Sequence, residues 1–406
     1  MSEQSGIGAS FPAEWKEMKD LETGRQLTQL TSAKGASYPL YYFVPSITKD
    51  GRYLIFHSER SGWVQLYRLD LTSGAIVQLT DGRTSRSGWG IWCERRLRGI
   101  YNHLSTLDTA HNEVFYFQDD EIRATHVETI ENRLVAKLPP GRIPMGQTAF
   151  SNDGSLFAFI HADEKKFNQM LDERDAAFAM RVSSTSLEMF RELGGDITLG
   201  VIDTKTGSYR EVITTDYLFH HVLFLDDQTL LINHPKGCHG MWTVDLSGKN
   251  IRNLRPHTAP GAHNAQICHQ VLTKNGILYE ANHRGEDGHK IYIGRYQPET
   301  DSFEEVLLPV GGYIHVGSDP LGEFTFIEVA SGTHEIRSVH FPRDPAKFNT
   351  RLLRTLGPVK ENQRNHAHPF LTPDRKSMIF TDLSENGYNQ IYRMDVSDLT
   401  SLEEYW

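Results

Sequence analysis

The segment Glu361-Asn362-Gln363-Arg364-Asn365-His366-Ala367-His368-Pro369 sets two histidines two residues apart, with a glutamine three residues before the first. In an extended segment, side chains at i and i+2 point to the same face. The imidazoles of His366 and His368 can then reach one ion, and Gln363 can add a carbonyl oxygen. Imidazole is the commonest protein metal ligand, and a set of nitrogen and oxygen donors suits several divalent transition metals. Pro369 restricts the backbone of His368 and favours a defined geometry. Histidine is crowded in this part of the chain: of 19 histidines, 14 lie between His220 and His368. Several share a phase. His269 precedes the Thr273 turn by four residues, His315 precedes Asp319 by four and His368 precedes Thr372 by four, with His220 and His221 similarly placed before Leu225–Asp227.

That phase exists because the chain repeats. Thr48 to Gly82 sets the template: a Lys49-Asp50-Gly51 turn, the run Tyr53–Phe56, a polar loop, the run Val64–Leu69, a Ser73-Gly74 turn and the run Ala75–Leu79. Short β-rich runs between Gly, Asp, Asn and Ser turns predict antiparallel strands. Copies follow at Cys93, Ser151, Leu225, Thr273, Asp319 and Thr372, making seven. Four short strands in each repeat of some forty to fifty residues is the pattern of propeller blades. The expected fold is all-β: a single seven-bladed β-propeller domain over residues 1–406. The last copy lacks its final strand, and Gly24–Thr31 resembles the Val77–Thr80 strand, so the N-terminal strand is expected to complete the last blade and remove an open edge. A charged, Ala/Met/Leu-rich stretch at about 162–195 predicts a helical insertion in the third blade, as a decorative excursion or a lid. In a propeller, equal phase in successive blades means convergence on one axis, and there the histidines would meet.

Bulk properties close other routes. Net charge is −10, pI is about 6.0 and no long basic run occurs, which argues against nucleic acid as a partner. Mean hydropathy is −0.46 with no apolar stretch long enough for a membrane span, and the first residues show no secretion signal. Three cysteines, Cys93, Cys238 and Cys268, fit a reduced, cytoplasmic protein better than a disulfide framework. Oligomeric state is not readable.

The seven repeats and the Gln363-x-x-His366-x-His368-Pro369 segment resemble oligogalacturonate lyases, a family of seven-bladed polysaccharide lyases. The resemblance covers most of the chain and is clearest in the last blade. It implies a manganese ion held by Gln363, His366 and His368, with His315 matching a fourth ligand by position. It implies His269 as the catalytic base, and gives His221 and His234 counterparts near the substrate. One position departs: Gly240, in Cys238-His239-Gly240-Met241-Trp242, stands where the family carries an arginine. Arg284 is a candidate replacement, and the chain is expected to be a divergent member. The implied substrate is an anionic uronate oligosaccharide. Arg284, Arg364 and the metal would supply a local positive field within an acidic protein, and Tyr313 is a further candidate contact.

The implied chemistry is β-elimination. The C5 proton of a uronate is weakly acidic beside an ionised carboxylate. A cation on that carboxylate stabilises the enolate-like intermediate, and a histidine is suited to take the proton. A non-enzymatic, TolB-like adaptor propeller is the rival reading, compatible with the repeats but with no need of phased histidines. The sequence contains no G-x-S-x-G, which removes a serine hydrolase of that type. Tyr41 and Tyr42 read as core residues rather than a sugar platform.

Overall fold

The turn that opens each repeat explains why the strands fall where they do. Thr48 Oγ1 donates to Asp50 Oδ1 at 2.6 Å, Asp50 accepts the Arg52 amide at 3.0 Å, and the Tyr53 amide donates back to Thr48 Oγ1 at 3.0 Å. The same three bonds recur at Ser151-Asp153-Ser155-Leu156 and at Thr372-Asp374-Lys376-Ser377. These side chains take backbone donors that a tight turn otherwise leaves exposed. The turn needs one left-handed residue: Gly51 and Gly154 supply it at φ 75° and 72°, whereas in the last repeat Arg375 takes it at φ 61°.

The computed structural model describes residues 6–84, 98–179, 196–216, 221–233, 240–256, 265–285, 288–309, 313–331, 333–340, 349–358 and 366–400. Among them are seven antiparallel sheets of four or five strands. The chain forms two compact units. One spans Thr80–Asn253 and holds three sheets; the other combines Met1–Leu79 with Leu254–Trp406 and holds four.

In the second of these units the N-terminal strand Gln26–Gln29 pairs with Asn389–Asp395, setting Leu27 against Met394, and Lys16–Lys19 adds an outer strand beyond it. Ser10–Phe11 pairs with Ile76–Gln78 in the first repeat's sheet. Neighbouring sheets in this unit bury shared apolar cores. Leu54, Phe56, Tyr67 and Leu69 pack with Ile379 and Ile391. Phe324, Phe326 and Ile336 pack with Met378, Phe380 and Met394. Leu278, Ile291 and Ile293 pack with Ile314, Val316 and Ile327. These interlocked faces fix the strands that carry His269 and His315 and the sheet that follows the His368 segment.

In the Thr80–Asn253 unit, a helix at Glu164–Ala179 leaves the strand Leu156–Asp163, and Ile197–Asp203 resumes the sheet. Phe167, Met170 and Leu171 of that helix are buried. The remainder of the expected insertion lies outside the described residues. No helix among the described residues is long and apolar enough to cross a membrane.

Candidate metal centre and active site

The larger unit brings four histidines together. The His315 ring lies 4.5 Å from that of His269, 5.0 Å from that of His366 and 4.7 Å from that of His368, and the His366 and His368 rings stack at 5.7 Å. His269, His315 and His368 are buried and His366 is nearly so.

Their backbones differ in a way that equal phase did not anticipate. His315 sits in regular strand pairing opposite Glu328. His269 has φ 54° at an irregularity in the pairing of Gln266–Thr273 with Gly276–Gly285, between Cys268 and Val271. His368 has φ 44°, and no strand runs through His366–Pro369. The two imidazoles of the His-x-His segment therefore converge through a left-handed bend rather than an extended strand. A non-glycine residue held at positive φ costs on the order of 1–3 kcal/mol and persists where surrounding contacts hold it. Of the three histidines at positive φ among the described residues, two lie in this cluster; the third, His103 at φ 58°, belongs to the Thr80–Asn253 unit.

Two buried glutamates, which sequence reasoning missed, organise the rings. Glu280 Oε2 lies 2.5 Å from His269 Nδ1 and 3.1 Å from Cys268 Sγ, and Glu280 Oε1 accepts from Asn282 at 3.2 Å. Glu328 is a hub. Its Oε2 lies 2.8 Å from His315 Nδ1 and accepts the His368 amide at 3.1 Å. Its Oε1 lies 2.7 Å from His334 Nε2 and 3.2 Å from His366 Nδ1, and accepts the Ala367 amide at 2.7 Å. Five donors fill the roughly four lone-pair positions of a carboxylate, which leaves Glu328 little capacity to bind an ion itself.

Burial alone would raise the Glu328 pKa, but His315 and His366, with hydrogen bonds from His315 and His334, hold it well below the usual carboxylate range. Burial pushes His315 down to about 3 against the opposing pull of Glu328, so this ring is neutral at neutral pH. His334 goes the other way. Burial lowers its pKa, yet the Glu328 hydrogen bond and charge, with the Gly357 carbonyl 2.8 Å from Nδ1, raise it overall. Both of its ring nitrogens face acceptors, which calls for the imidazolium form.

This donor chemistry fits a metal ion. A carboxylate accepts only, so His315 and His366 direct Nδ1–H to Glu328 and keep Nε2 for a ligand. Such carboxylate backing is the usual support of a metal-bound imidazole. Among the described residues, two groups bring one donor atom each within 4.8 Å of one another: His315 with Glu328 and His366, and Cys268 with His269 and Glu280.

Tyr41 and Tyr42 are buried, as expected of core residues, and they also form the wall behind the cluster. The Tyr42 ring lies 5.1 Å from His315, stacks on His368 at 5.7 Å and lies 5.9 Å from His269. Tyr41 meets His368 edge-on at 4.8 Å. Burial, with the nearby Cys268, Glu328 and Glu280, pushes its hydroxyl well above the ordinary tyrosine pKa.

The other expected site residues fall in three groups. Gln363, Arg364 and His234 lie outside the described residues, as do Cys93 and Cys238. Arg284 and Tyr313 belong to the strands Gly276–Gly285 and Tyr313–Ser318, where they pair with His289 and Ala330. His221, in the Thr80–Asn253 unit, is buried, and its amide donates to Asn233 Oδ1 at 3.0 Å. In that unit a Cβ at Gly240 would lie 2.7 Å from Trp242 Nε1, so an arginine there would require the indole to move.

The seven described sheets and the likeness to a solved structure reported below give the fold as an all-β, seven-bladed propeller. No family model matches the chain. The chain is 22% identical to oligogalacturonate lyase of Dickeya dadantii, over 94% of this chain and 95% of that protein. It is 21% identical to oligogalacturonide lyase of Pectobacterium atrosepticum, over 96% and 98%. Among solved structures, an oligogalacturonate lyase in complex with manganese matches with a TM-score of 0.76 at 19% identity, covering 99% of this chain and all of that one. The oligogalacturonate lyase of Vibrio parahaemolyticus matches at 0.78 and 18%, over 99% and 100%. Over nearly its whole length the chain is thus similar, at low identity, to oligogalacturonate lyases.

Proposed function

We propose that this protein is a metal-dependent lyase that cleaves uronate-containing, oligogalacturonate-like oligosaccharides by β-elimination. The observation that carries the reading is the cluster of His269, His315, His366 and His368, with Nδ1 of His269 and of His315 turned to buried carboxylates. The full-length relatives support a lyase acting on oligosaccharides. His315, His366 and His368, with Gln363, would hold a divalent cation, and the manganese in a related lyase favours Mn²⁺. When bound, the cation would neutralise the uronate carboxylate and stabilise negative charge developing at C5.

His269 supplies the base. Its Nδ1–H stays with Glu280, Nε2 takes the C5 proton, and the electron pair of the C–H bond forms the C4–C5 double bond as the C4–O bond breaks, its electron pair leaving on the oxygen of the departing sugar, which takes a proton from water. Tyr41 and Tyr42 exclude water behind the rings. His221, His234, Arg284, Tyr313 and Arg364 are assigned to substrate binding, with Arg284 serving in place of the arginine absent at Gly240. The whole chain would act as one seven-bladed domain closed by the N-terminal strand, with the helical insertion in its third blade, in the cytoplasm. A non-enzymatic adaptor has no use for four clustered histidines and is not carried further.

The test is to incubate the protein with Mn²⁺ and a panel of uronate oligosaccharides and follow ultraviolet absorbance of the unsaturated product. Absorbance growth that depends on metal is expected. No growth with any uronate would overturn the reading.

A further inference from the structure

We infer that Glu280 is a positioning residue: it holds His269 as the Nδ1–H tautomer, with Nε2 left as the proton acceptor. The inference rests on the lyase reading above and adds a residue to it. Glu280 is fully buried, and its Oε2 is 2.5 Å from His269 Nδ1. A carboxylate can only accept, so the shared proton belongs to the imidazole and Nε2 keeps its lone pair.

Glu280 is itself held. Asn282 Nδ2 donates to Oε1 at 3.2 Å, and Cys268 Sγ lies 3.1 Å from Oε2. The orientation of Asn282 is set in turn by His289, whose Nε2 lies 2.5 Å from Asn282 Oδ1. Glu280 and Asn282 stand two residues apart on Gly276–Gly285, so both side chains leave the same face, and His289 lies on the paired strand Gly288–Gln297. The row from His289 through Asn282 and Glu280 ends on a histidine displaced from the strand ladder by an irregularity and set at φ 54°. With the backbone in that conformation, the carboxylate fixes both the tilt of the ring and which nitrogen carries the proton.

The test compares Glu280→Gln and Glu280→Asp with the unaltered chain, each assayed with Mn²⁺ on an oligogalacturonate and each analysed for bound metal. Glu280→Gln keeps the side-chain shape and removes the charge. Its kcat is expected to fall about 10–100-fold, the range for losing a partner that orients a working histidine, with KM and metal content unchanged. Glu280→Asp recovers part of kcat. A second readout needs no turnover: ¹⁵N spectra of histidine-labelled, Zn²⁺-loaded full-length protein, with His269→Asn assigning the signal, give the Nδ1–H tautomer for His269. Unchanged kcat in Glu280→Gln, loss of metal along with the charge, or an Nε2–H tautomer in the unaltered chain each overturns the inference. If the unaltered protein turns over no uronate, the lyase reading fails, and the tautomer still decides whether Glu280 holds His269. The tautomer also decides if the Glu280 variants do not fold.

Discussion

The sheet from Gln266 to Leu307 and the sheet from Tyr313 to Thr355 each bury one glutamate behind a histidine, but they load it differently. Glu280 backs the single ring of His269. Glu328 gathers the rings of His315, His334 and His366 and the amides of Ala367 and His368, reaching across to the segment that enters the last sheet. One ring on one carboxylate is an orienting pair that fixes a single imidazole. Several rings on one carboxylate form a fixed cradle, in which moving one member moves all. The contrast predicts a division of labour between proton transfer and ion binding, and mutations can break it.

The largest effect is expected at the base. His269→Ala should lower kcat by about 10²–10⁴-fold, the usual contribution of general base catalysis, with metal stoichiometry unchanged by elemental analysis. Near-normal rates would end the assignment of the base to the Glu280 side. Glu328→Ala comes next, because it leaves the His334 imidazolium uncompensated in a buried site. A loss of about 3–5 kcal/mol in urea-unfolding stability is expected, as for breaking a buried ion pair, and bound metal should fall with it. A stable variant with full metal content would show that the cradle does not depend on its hub. His366→Ala should weaken metal binding about 10-fold or more, on the scale of effects seen when a metal site loses support, with the global fold intact by circular dichroism. Unchanged metal content would remove His366 from the ligand set.

What was legible in the sequence follows the same line. Turn chemistry and alternation gave the repeats, because Thr48, Ser151 and Thr372 need an acceptor two residues on and a left-handed residue after it. The histidines stood out through composition and phase. The glutamates that orient them did not, because a lone Glu on a strand ordinarily reads as a solvent-facing position. The signal was present: Glu280 lies in Leu278-Tyr279-Glu280-Ala281 and Glu328 in Phe326-Ile327-Glu328-Val329, runs too apolar to leave a carboxylate at the surface. The bend at His368 was hidden for another reason. A residue before proline is ordinarily extended, and only the Glu328 bonds to the Ala367 and His368 amides show what holds it at positive φ.

The smallest expected effect extends the comparison to buried histidines with no carboxylate behind them. His57 stacks on Tyr38 at 5.4 Å, and burial pushes its pKa down to about 3 despite a hydrogen bond with the Pro39 backbone. In the Thr80–Asn253 unit, Arg142 Nε donates to His161 Nδ1 at 2.8 Å, and His161 Nε2 lies 2.7 Å from the Tyr209 hydroxyl. An arginine at Nδ1 fixes the opposite tautomer from that of His269. Burial and the Arg142 charge bring the His161 pKa to about 3 against the pull of Asp196. Both histidines are neutral in the folded chain and titrate near 6.5 once unfolded, so the unfolded state binds the extra proton first. Their contribution to stability is complete above pH ~6.5 and is lost as pH falls from there toward ~3. Each should cost about 2 kcal/mol at pH 5 relative to pH 7.5. His57→Gln, which cannot titrate, should flatten its share: the stability gap between variant and parent, read from urea midpoints, should shift in favour of the variant as pH falls from 7.5 to 5. A gap that stays constant with pH would mean that His57 takes up its proton equally in the folded and unfolded chains, and the distinction between backed and unbacked histidines would fail at its simplest member.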